Sequence, residues 1–349
     1  MHSSFPLDRL GWSAFYSQQL SLEDLSAGYP ARVSSVQRSL VTVLCERGAL
    51  DVVVPPRLAG SAVAIGDWLL IEHEAPRVLR VLERRSLISR MAAGVEQRVQ
   101  AIAANLDTLL VVTSCNDDFN LARLERYFTI ARHGQAEPVI VLTKADLCAD
   151  VEAFVAQTRS IAGDIAVLPM NATAHAETDA LAPWLGRGQT VAFVGSSGVG
   201  KSTLVNTLLA CDVRATSGIR EHDAKGRHTT TSRQMFALPS GAWVIDTPGM
   251  RELKLGAMED AVSAVFHDIE ALTRDCRFRD CRHRNDAGCA LQAAVAAGRL
   301  DQRRLDSYLK LLREAERAGQ SVRERRAVER QWGRMARAIL KRGPGTSRE

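Results

Sequence analysis

The 349-residue chain has no uninterrupted apolar stretch of membrane-spanning length and no basic N-terminal segment leading into an apolar run. The first absence argues against a helical membrane span and the second against a secretory leader, so a cytoplasmic protein with no membrane partner is expected. A disulfide framework is missing too. There are 7 cysteines, an odd number, and Cys45, Cys115, Cys148 and Cys211 are scattered in apolar or loop contexts that suit reduced thiols. A large overall charge excess is also lacking, with 45 Lys or Arg against 40 Asp or Glu. The excess is local: between Arg299 and Glu349 there are 15 basic residues against 7 acidic ones, which points to an anionic partner for that end. The length exceeds one ordinary domain and predicts two or three.

The strongest motif is Gly195-Ser196-Ser197-Gly198-Val199-Gly200-Lys201-Ser202-Thr203. It follows the apolar run Val191–Val194 and precedes Leu204–Leu209, so it reads as a loop between a buried strand and a helix. That is the context of a phosphate-binding loop. The glycines let successive backbone N–H groups turn inward around phosphate, Lys201 reaches the β and γ phosphates, and Ser202 offers a hydroxyl to Mg²⁺.

Which nucleotide binds is read upstream of that loop. The buried run Pro138–Leu142 delivers Thr143-Lys144-Ala145-Asp146. An aspartate at the carboxyl end of a parallel strand accepts from both N1–H and the 2-amino group of guanine, a donor pair that adenine lacks. Asp146 therefore selects GTP and GDP, with Lys144 laid over the base and Thr143 bracing the loop. The next strand, Ile165–Leu168, leads to Met170-Asn171-Ala172-Thr173, where Asn171 or Ala172 could meet the guanine O6.

Downstream, Gly218–Arg233 is polar, with Gly226-Arg227-His228-Thr229-Thr230-Thr231 at its centre. It has the character of a nucleotide-sensing switch, in which Thr229 or Thr230 meets Mg²⁺ and the γ-phosphate. The strand Trp243–Ile245 then ends in Asp246-Thr247-Pro248-Gly249. Asp246 is placed to hold Mg²⁺ through water, and the Gly249 amide to sense the γ-phosphate. A conventional GTPase meets its phosphate loop first and its base-reading loops last; here the order is reversed, which is a circular permutation. A P-loop kinase or ATPase is disfavoured by Asp146.

Two flanking modules complete the chain. Five short β-prone runs between Pro30 and Leu82, punctuated by Gly and Pro, predict a small closed antiparallel barrel of the oligonucleotide-binding type. Cys276, Cys281, His283 and Cys289 fall within fourteen residues and supply the donors of one closed structural zinc site. His267 is a spare donor whose separation favours a surface or packing role. Beyond the cluster, Leu291–Ala297, Arg303–Ala318 and Val322–Lys341 read as helices, with Leu305, Tyr308, Leu309 and Leu312 as an apolar stripe and the last helix strongly basic. The expected fold is α/β: an extension (1–29), the barrel (30–90), a permuted P-loop GTPase domain (91–265) and a zinc-binding helical module with a basic tail (266–349).

These residues resemble the circularly permuted GTPases of small ribosomal subunit maturation, the ribosome small-subunit-dependent GTPase A family. Besides the nucleotide motifs, Gly94-Val95-Glu96-Gln97, Ala103-Ala104-Asn105-Leu106-Asp107, the Gly226–Thr231 loop and the cysteine-histidine cluster carry the likeness, over about residues 30–320. The resemblance implies slow GTP hydrolysis stimulated by the small (30S) subunit, rRNA contacts through the barrel and zinc modules, and release on hydrolysis. A monomer is expected. Thr143 stands where many GTPases have Asn, and Met250 follows Gly249 where Ras-like enzymes carry the glutamine that positions water. His228, or an element of the ribosome, is left as the candidate for that role. The competing reading is an rRNA-binding assembly or translation factor that uses GTP mainly as a switch.

Overall fold

Alternating apolar residues in the first half of the chain form five strands, β1 (Gly28–Val36), β2 (Leu40–Cys45), β3 (Gly48–Val53), β4 (Trp68–Glu72) and β5 (Val78–Val81). They belong to a computed structural model that describes residues 4–37, 40–55, 63–91, 99–210, 234–246, 258–284 and 286–318. The chain divides into two units, Met1–Lys254 and Leu255–Glu349. The long β1 pairs β4 along its first half and β2 along its second, bending at a bulge between Val33 and Ser35. Strand β2 pairs β3, β4 pairs β5, and a parallel bridge from Val53 to Arg77 joins β3 to the start of β5. The result is a closed five-stranded barrel around Ala31, Val33, Val43, Val52, Leu69, Ile71 and Val78.

A hairpin, β6 (Leu87–Met91) and β7 (Val99–Ala104), follows. Strands β8 (Thr108–Ser114), β9 (Glu137–Thr143), β10 (Val167–Pro169) and β11 (Thr190–Val194) then alternate with helices α3 (Leu121–His133), α4 (Val151–Ala162) and the short α5 (His175–Thr178). They are preceded in the chain by α1 (Ala14–Ser17) and α2 (Leu22–Ala27). Helix α6 (Lys201–Ala210) follows β11, and β12 (Gln234–Ala237) and β13 (Trp243–Asp246) close the unit. All seven residues of β8 are buried, the mark of a strand covered on both faces. In α3, Leu124, Tyr127, Phe128 and Ala131 are buried at helical spacing, and Asn120 caps the helix by accepting from the Arg123 amide at 3.0 Å.

The order across the sheet is β10-β9-β8-β11-β13-β12. All neighbours are parallel except β12, which runs antiparallel to β13. Numbered from β11, the strand that feeds the phosphate loop, the order reads 6-5-4-1-3-2. The three strands on the base side are therefore made before the strand that a non-permuted chain would make first. Ser35 of β1 pairs with Gln234 of β12 and joins the barrel to this sheet.

Two local features depart from what the sequence pattern alone suggests. The stretch Ala104–Val112, which reads as one strand, is broken at Asn105, whose φ of 57° lies in the left-handed region. Both ends of its side chain are engaged: Oδ1 accepts from the Arg85 amide at 2.9 Å and Nδ2 donates to Gly66 O at 2.9 Å. Asp107 then joins three strand starts: its amide donates to Thr190 O, its carbonyl accepts from the Glu137 amide, and its carboxylate accepts from the Thr190 amide at 2.7 Å. The basic pair Arg84-Arg85 is committed to carboxylates. Arg84 grips the buried Asp67 with two hydrogen bonds of 2.7 and 2.8 Å, and Arg85 pairs with Asp107.

Residues 4–27 are not a loose tail. Leu10 and Tyr16 are buried, Trp12 meets Trp68 edge-on at 4.7 Å, and the Trp243 indole donates to Arg9 O at 2.7 Å. The segment thus spans from the barrel to β13. Beneath it the buried Arg32 donates to Leu10 O, to Asn105 O at 3.1 Å and to Gly66 O at 3.4 Å. Burial pulls the Arg32 guanidinium pKa down to about 10, yet it stays charged at neutral pH.

The second unit contains α7 (Glu259–Val265), α8 (His267–Thr273), α9 (Ala290–Ala296) and a helix over 302–318, α10. Val262, Phe266, Ile269, Leu291, Ala294, Leu305, Tyr308 and Leu311 are buried. The apolar stripe of α10 is thus turned slightly from the sequence expectation: Leu311 is buried, whereas Leu309 and Leu312 are only partly so. The predicted helix Val322–Lys341 lies outside the described residues.

Candidate functional site

Parallel strands leave their carboxyl ends on one edge of the sheet, and that is where an open α/β sheet places a ligand. Four sequence motifs arrive there: the phosphate loop after β11, Lys144–Asp146 after β9, Met170–Thr173 after β10, and Asp246 at the end of β13. His228, Thr229, Thr230 and Gly249 lie outside the described residues.

The phosphate loop is pinned from both sides. Gly195 has a φ of 145°, and a Cβ there would sit 2.1 Å from Val112 O, so only glycine lets β11 turn against β8. The Thr143 hydroxyl lies 2.5 Å from Val199 O and 3.2 Å from Thr113 O, and its one proton belongs to the shorter contact. This hydrogen bond ties the phosphate loop to the loop after β9. Arg123, from the first turn of α3, contacts the Ser196 hydroxyl and pairs with Asp118 at 2.9 Å. Sequence reasoning had no signal for Arg123, which lies 73 positions from Ser196.

Lys201 opens α6 with its ammonium inside the loop, donating to Gly195 O at 2.8 Å and to Ser196 O. The first intrahelical bond is Leu204 N–H to Gly200 O at 2.8 Å. The amides of Lys201, Ser202 and Thr203 therefore lie in the first turn, where a helix presents unbonded donors and a positive dipole end to an anion. Ser202 and Thr203 are exposed there, and so is Asp246 across the sheet edge.

On the base side, Lys144 takes a left-handed φ of 57° and starts the 3-10 turn Ala145–Leu147, which carries the exposed Asp146. Among the described residues, neither Lys144 nor Asp146 makes a side-chain hydrogen bond. The loop after β10 is the more specified. The Asn171 amide donates to Glu177 Oε2 at 2.5 Å, and Asn171 Oδ1 accepts from the Thr173 amide at 2.9 Å and its hydroxyl at 2.7 Å. Thr207 of α6 donates to Ala172 O at 2.7 Å, anchoring this loop on the phosphate-loop helix. Of the amides at 171–173, only that of Ala172 has no acceptor among the described residues.

In the second unit, one ligand atom from each of Cys276, Cys281, His283 and Cys289 lies within 4.8 Å of all the others. The sulfurs of Cys276 and Cys289 are 3.5 and 3.7 Å from His283 Nδ1. A tetrahedron with metal–sulfur bonds of about 2.3 Å and a metal–nitrogen bond of about 2.0 Å has edges of about 3.5 to 3.8 Å, so these two sulfur–imidazole distances are those of a shared cation. Second-layer contacts fix it: the Ala290 amide reaches Cys276 Sγ at 3.4 Å, and Gln292 donates to His283 O at 2.9 Å. Burial and the neighbouring thiols push Cys281 up to about 11, the environment that a divalent cation would reverse. His267 is not part of the cluster; it opens α8.

Making the base-side strands first, with the phosphate and base loops on one edge and a cysteine-histidine module after them, is the architecture of a circularly permuted GTPase. Residues 81–256 match the model of the RsgA GTPase family. A Vibrio vulnificus protein named small ribosomal subunit biogenesis GTPase RsgA 2 is 46% identical over 341 residues, 97% of each chain. The fold is similar to that of YjeQ from Thermotoga maritima, with a TM-score of 0.60 and 23% identity over 82% of this chain and 98% of that one. It is also similar to YloQ, a circularly permuted GTPase, with a TM-score of 0.55 and 22% identity over 83% of this chain and 95% of that one. The chain belongs to the RsgA GTPase family and is a GTP-hydrolysing enzyme.

Proposed function

We propose that the chain hydrolyses GTP to GDP and phosphate during late maturation of the small ribosomal subunit, and that binding to the subunit stimulates hydrolysis and hydrolysis releases the factor. The observation that carries this reading is the hydrogen bond from Thr143 to Val199 O, which holds a base-reading loop and a phosphate loop as one site. Asp146 accepts from the guanine edge, Lys144 covers the base, and the Ala172 amide, left over when Asn171 and Thr173 bond internally, donates to O6. The loop amides of Gly195–Thr203 and the Lys201 ammonium stabilise the charge that grows on the γ-phosphate oxygens as water attacks. Mg²⁺, when bound by Ser202 and Asp246, supplies further charge neutralisation at those oxygens. His228, Thr229, Thr230 and Gly249 are assigned to the switches that sense the γ-phosphate, with His228 the candidate for orienting water.

The Cys276, Cys281, His283 and Cys289 donors suit one structural zinc ion, because three thiolates and an imidazole fill a tetrahedral shell and leave no open position. The partner is the small subunit and its rRNA, bound by a monomer in the cytoplasm. Hydrolysis measured with and without purified small and large subunits tests the proposal: stimulation by small subunits alone is expected, and stimulation by neither would sink the ribosome-linked reading. Replacing His228 with Ala tests the water-orienting role, and an unchanged stimulated rate would remove the histidine from the mechanism.

A further inference from the structure

Between the first two metal ligands the chain exposes an aromatic ring that no core requires. Phe278 is 47% exposed and is the only large hydrophobic so exposed among the described residues of the second unit. It is held rather than dangling. The Arg277 amide donates to Gly288 O at 3.1 Å, and Phe278 O accepts from the Cys281 amide at 3.3 Å, which closes a tight turn between two metal ligands. The facing loop is fixed as well, since the Arg282 and Arg284 amides both donate to Asp286 Oδ2, at 3.1 and 3.3 Å. A ring presented on a fixed turn loses little further conformational freedom when something stacks on it.

Its surroundings select the partner. Arg277 lies over the Phe278 ring with its guanidinium carbon 5.3 Å from the centroid. Arg274, Arg277, Arg279, Arg282 and Arg284 are all exposed, and none of them makes an ion pair with a described residue. An apolar protein surface would gain little from five exposed guanidinium groups on the same short stretch of chain as the ring. An unpaired nucleotide matches them, with a flat base for the ring and guanidinium face and phosphates for the remaining charges.

We propose that the Cys276–Cys281 turn is a nucleobase-stacking site, in which Phe278 and Arg277 hold one unpaired base of single-stranded RNA and Arg279, Arg282 and Arg284 hold the flanking phosphates. The site rests on the RNA-partner reading above and deepens it. It reads an unstacked base, so it favours single strands, bulges or ends over continuous duplex. Stacking tolerates any base, because each has a π-face, so the contribution to sequence choice is small.

The test uses the full-length, zinc-loaded protein and a fluorescein-labelled mixed-sequence 12-nucleotide RNA, single-stranded or annealed to its complement, with binding read by anisotropy at several salt concentrations. Phe278→Ala is expected to weaken single-strand binding about ten-fold while leaving duplex binding and the salt slope unchanged. Phe278→Trp should retain wild-type affinity, whereas Phe278→Leu, which keeps apolar area but no π-face, should behave like the alanine variant. Arg282→Ala should lower the salt slope by about one. Zinc content per chain, equal to wild type, shows that the turn still folds. Wild-type affinity in Phe278→Ala overturns the proposal. So does full affinity in Phe278→Leu, the outcome for a docked apolar protein segment, or an equal loss on duplex. GTP hydrolysis with small subunits, measured on the wild type, separates the two readings, because its failure strikes the ribosome assignment and leaves the oligonucleotide result standing.

Discussion

The nucleotide edge and the metal turn are built by opposite logics. In the first unit the core comes first: Leu110, Val112, Val139, Val141, Val191 and Val244 are at most 1% exposed, and the loops at the strand ends are placed by the sheet beneath them. Each such side chain contributes about 1.5 to 3 kcal/mol of burial, so removing a loop side chain alters chemistry more than fold. In the second unit, residues 274–288 have almost no apolar content of their own, and the candidate ligands are what the turn is folded around. A site residue in one region rides on a fold; in the other it makes one.

The largest effect should come from breaking the second region. Stripping the proposed zinc with a chelator, or replacing Cys281 with Ser, removes a share of a metal-binding free energy of about 10 kcal/mol. Residues 274–289 should then lose hydrogen-exchange protection, while the first unit keeps its exchange pattern and its GTP affinity. Loss of GTP binding on chelation would show that the two regions are not independent in the way their cores suggest.

The converse break is Lys201→Ala. Its ammonium donates to the loop carbonyls Gly195 O and Ser196 O, and removing one preorganised charge-stabilising donor costs about 10²- to 10³-fold in kcat. Stability should hardly change, so a kcat loss with an unaltered unfolding midpoint is the expected result. A drop in midpoint large enough to explain the lost activity would contradict the core-first account.

Much of this contrast is written locally in the sequence. The phosphate loop lies within nine residues and the candidate metal ligands within fourteen, so spacing alone exposes them, and the β-branched runs beside the phosphate loop announce buried strands. The sheet order follows from the motif order because each motif marks the strand that precedes it. Contacts between positions far apart are what spacing cannot show. Arg32 looks like one more strand arginine until Leu10, Gly66 and Asn105 converge on it, and Asn105 looks like mid-strand until its left-handed turn separates β7 from β8. Residues 4–27 show no period because their order comes from packing against Trp68 and Trp243 rather than from a repeating face of their own.

Arg32 therefore offers a sharper probe of the first unit than any loop residue. Arg32→Met keeps much of the volume but leaves Leu10 O and Asn105 O without the donor they have, while Gly66 O keeps that of Asn105 Nδ2, at about 1 to 3 kcal/mol for each carbonyl that cannot recover a partner. A loss of about 3 kcal/mol in denaturant unfolding is expected, confined to the first unit. Arg32→Lys should not restore it, since one ammonium cannot reproduce the planar fork that reaches three segments. Full rescue by lysine would mean that charge alone, rather than the divergent hydrogen bonds, holds the junction.

The smallest effect concerns the helical part of the second unit, which does have a core. Arg304 grips Asp268 with hydrogen bonds of 2.9 and 2.7 Å and lies over the Phe266 ring. Partial burial opposes ionisation of Asp268, but the Arg304 hydrogen bonds and charge outweigh it and hold the carboxyl below its ordinary value. Because the folded value is depressed, the contribution is fully present above the ordinary carboxylate range and is lost as pH falls toward and through the folded value. Arg304 stays charged throughout. With the carboxylate side chain 45% exposed, solvent screening limits the effect to under about 1 kcal/mol. Asp268→Asn should flatten that part of the acid limb in the melting of the second unit, while the pH dependence of the first unit stays as in wild type. An acid limb unchanged by the substitution would place the acid sensitivity elsewhere, and the metal turn, whose ligands must shed protons to bind, would then be where the second unit is weakest.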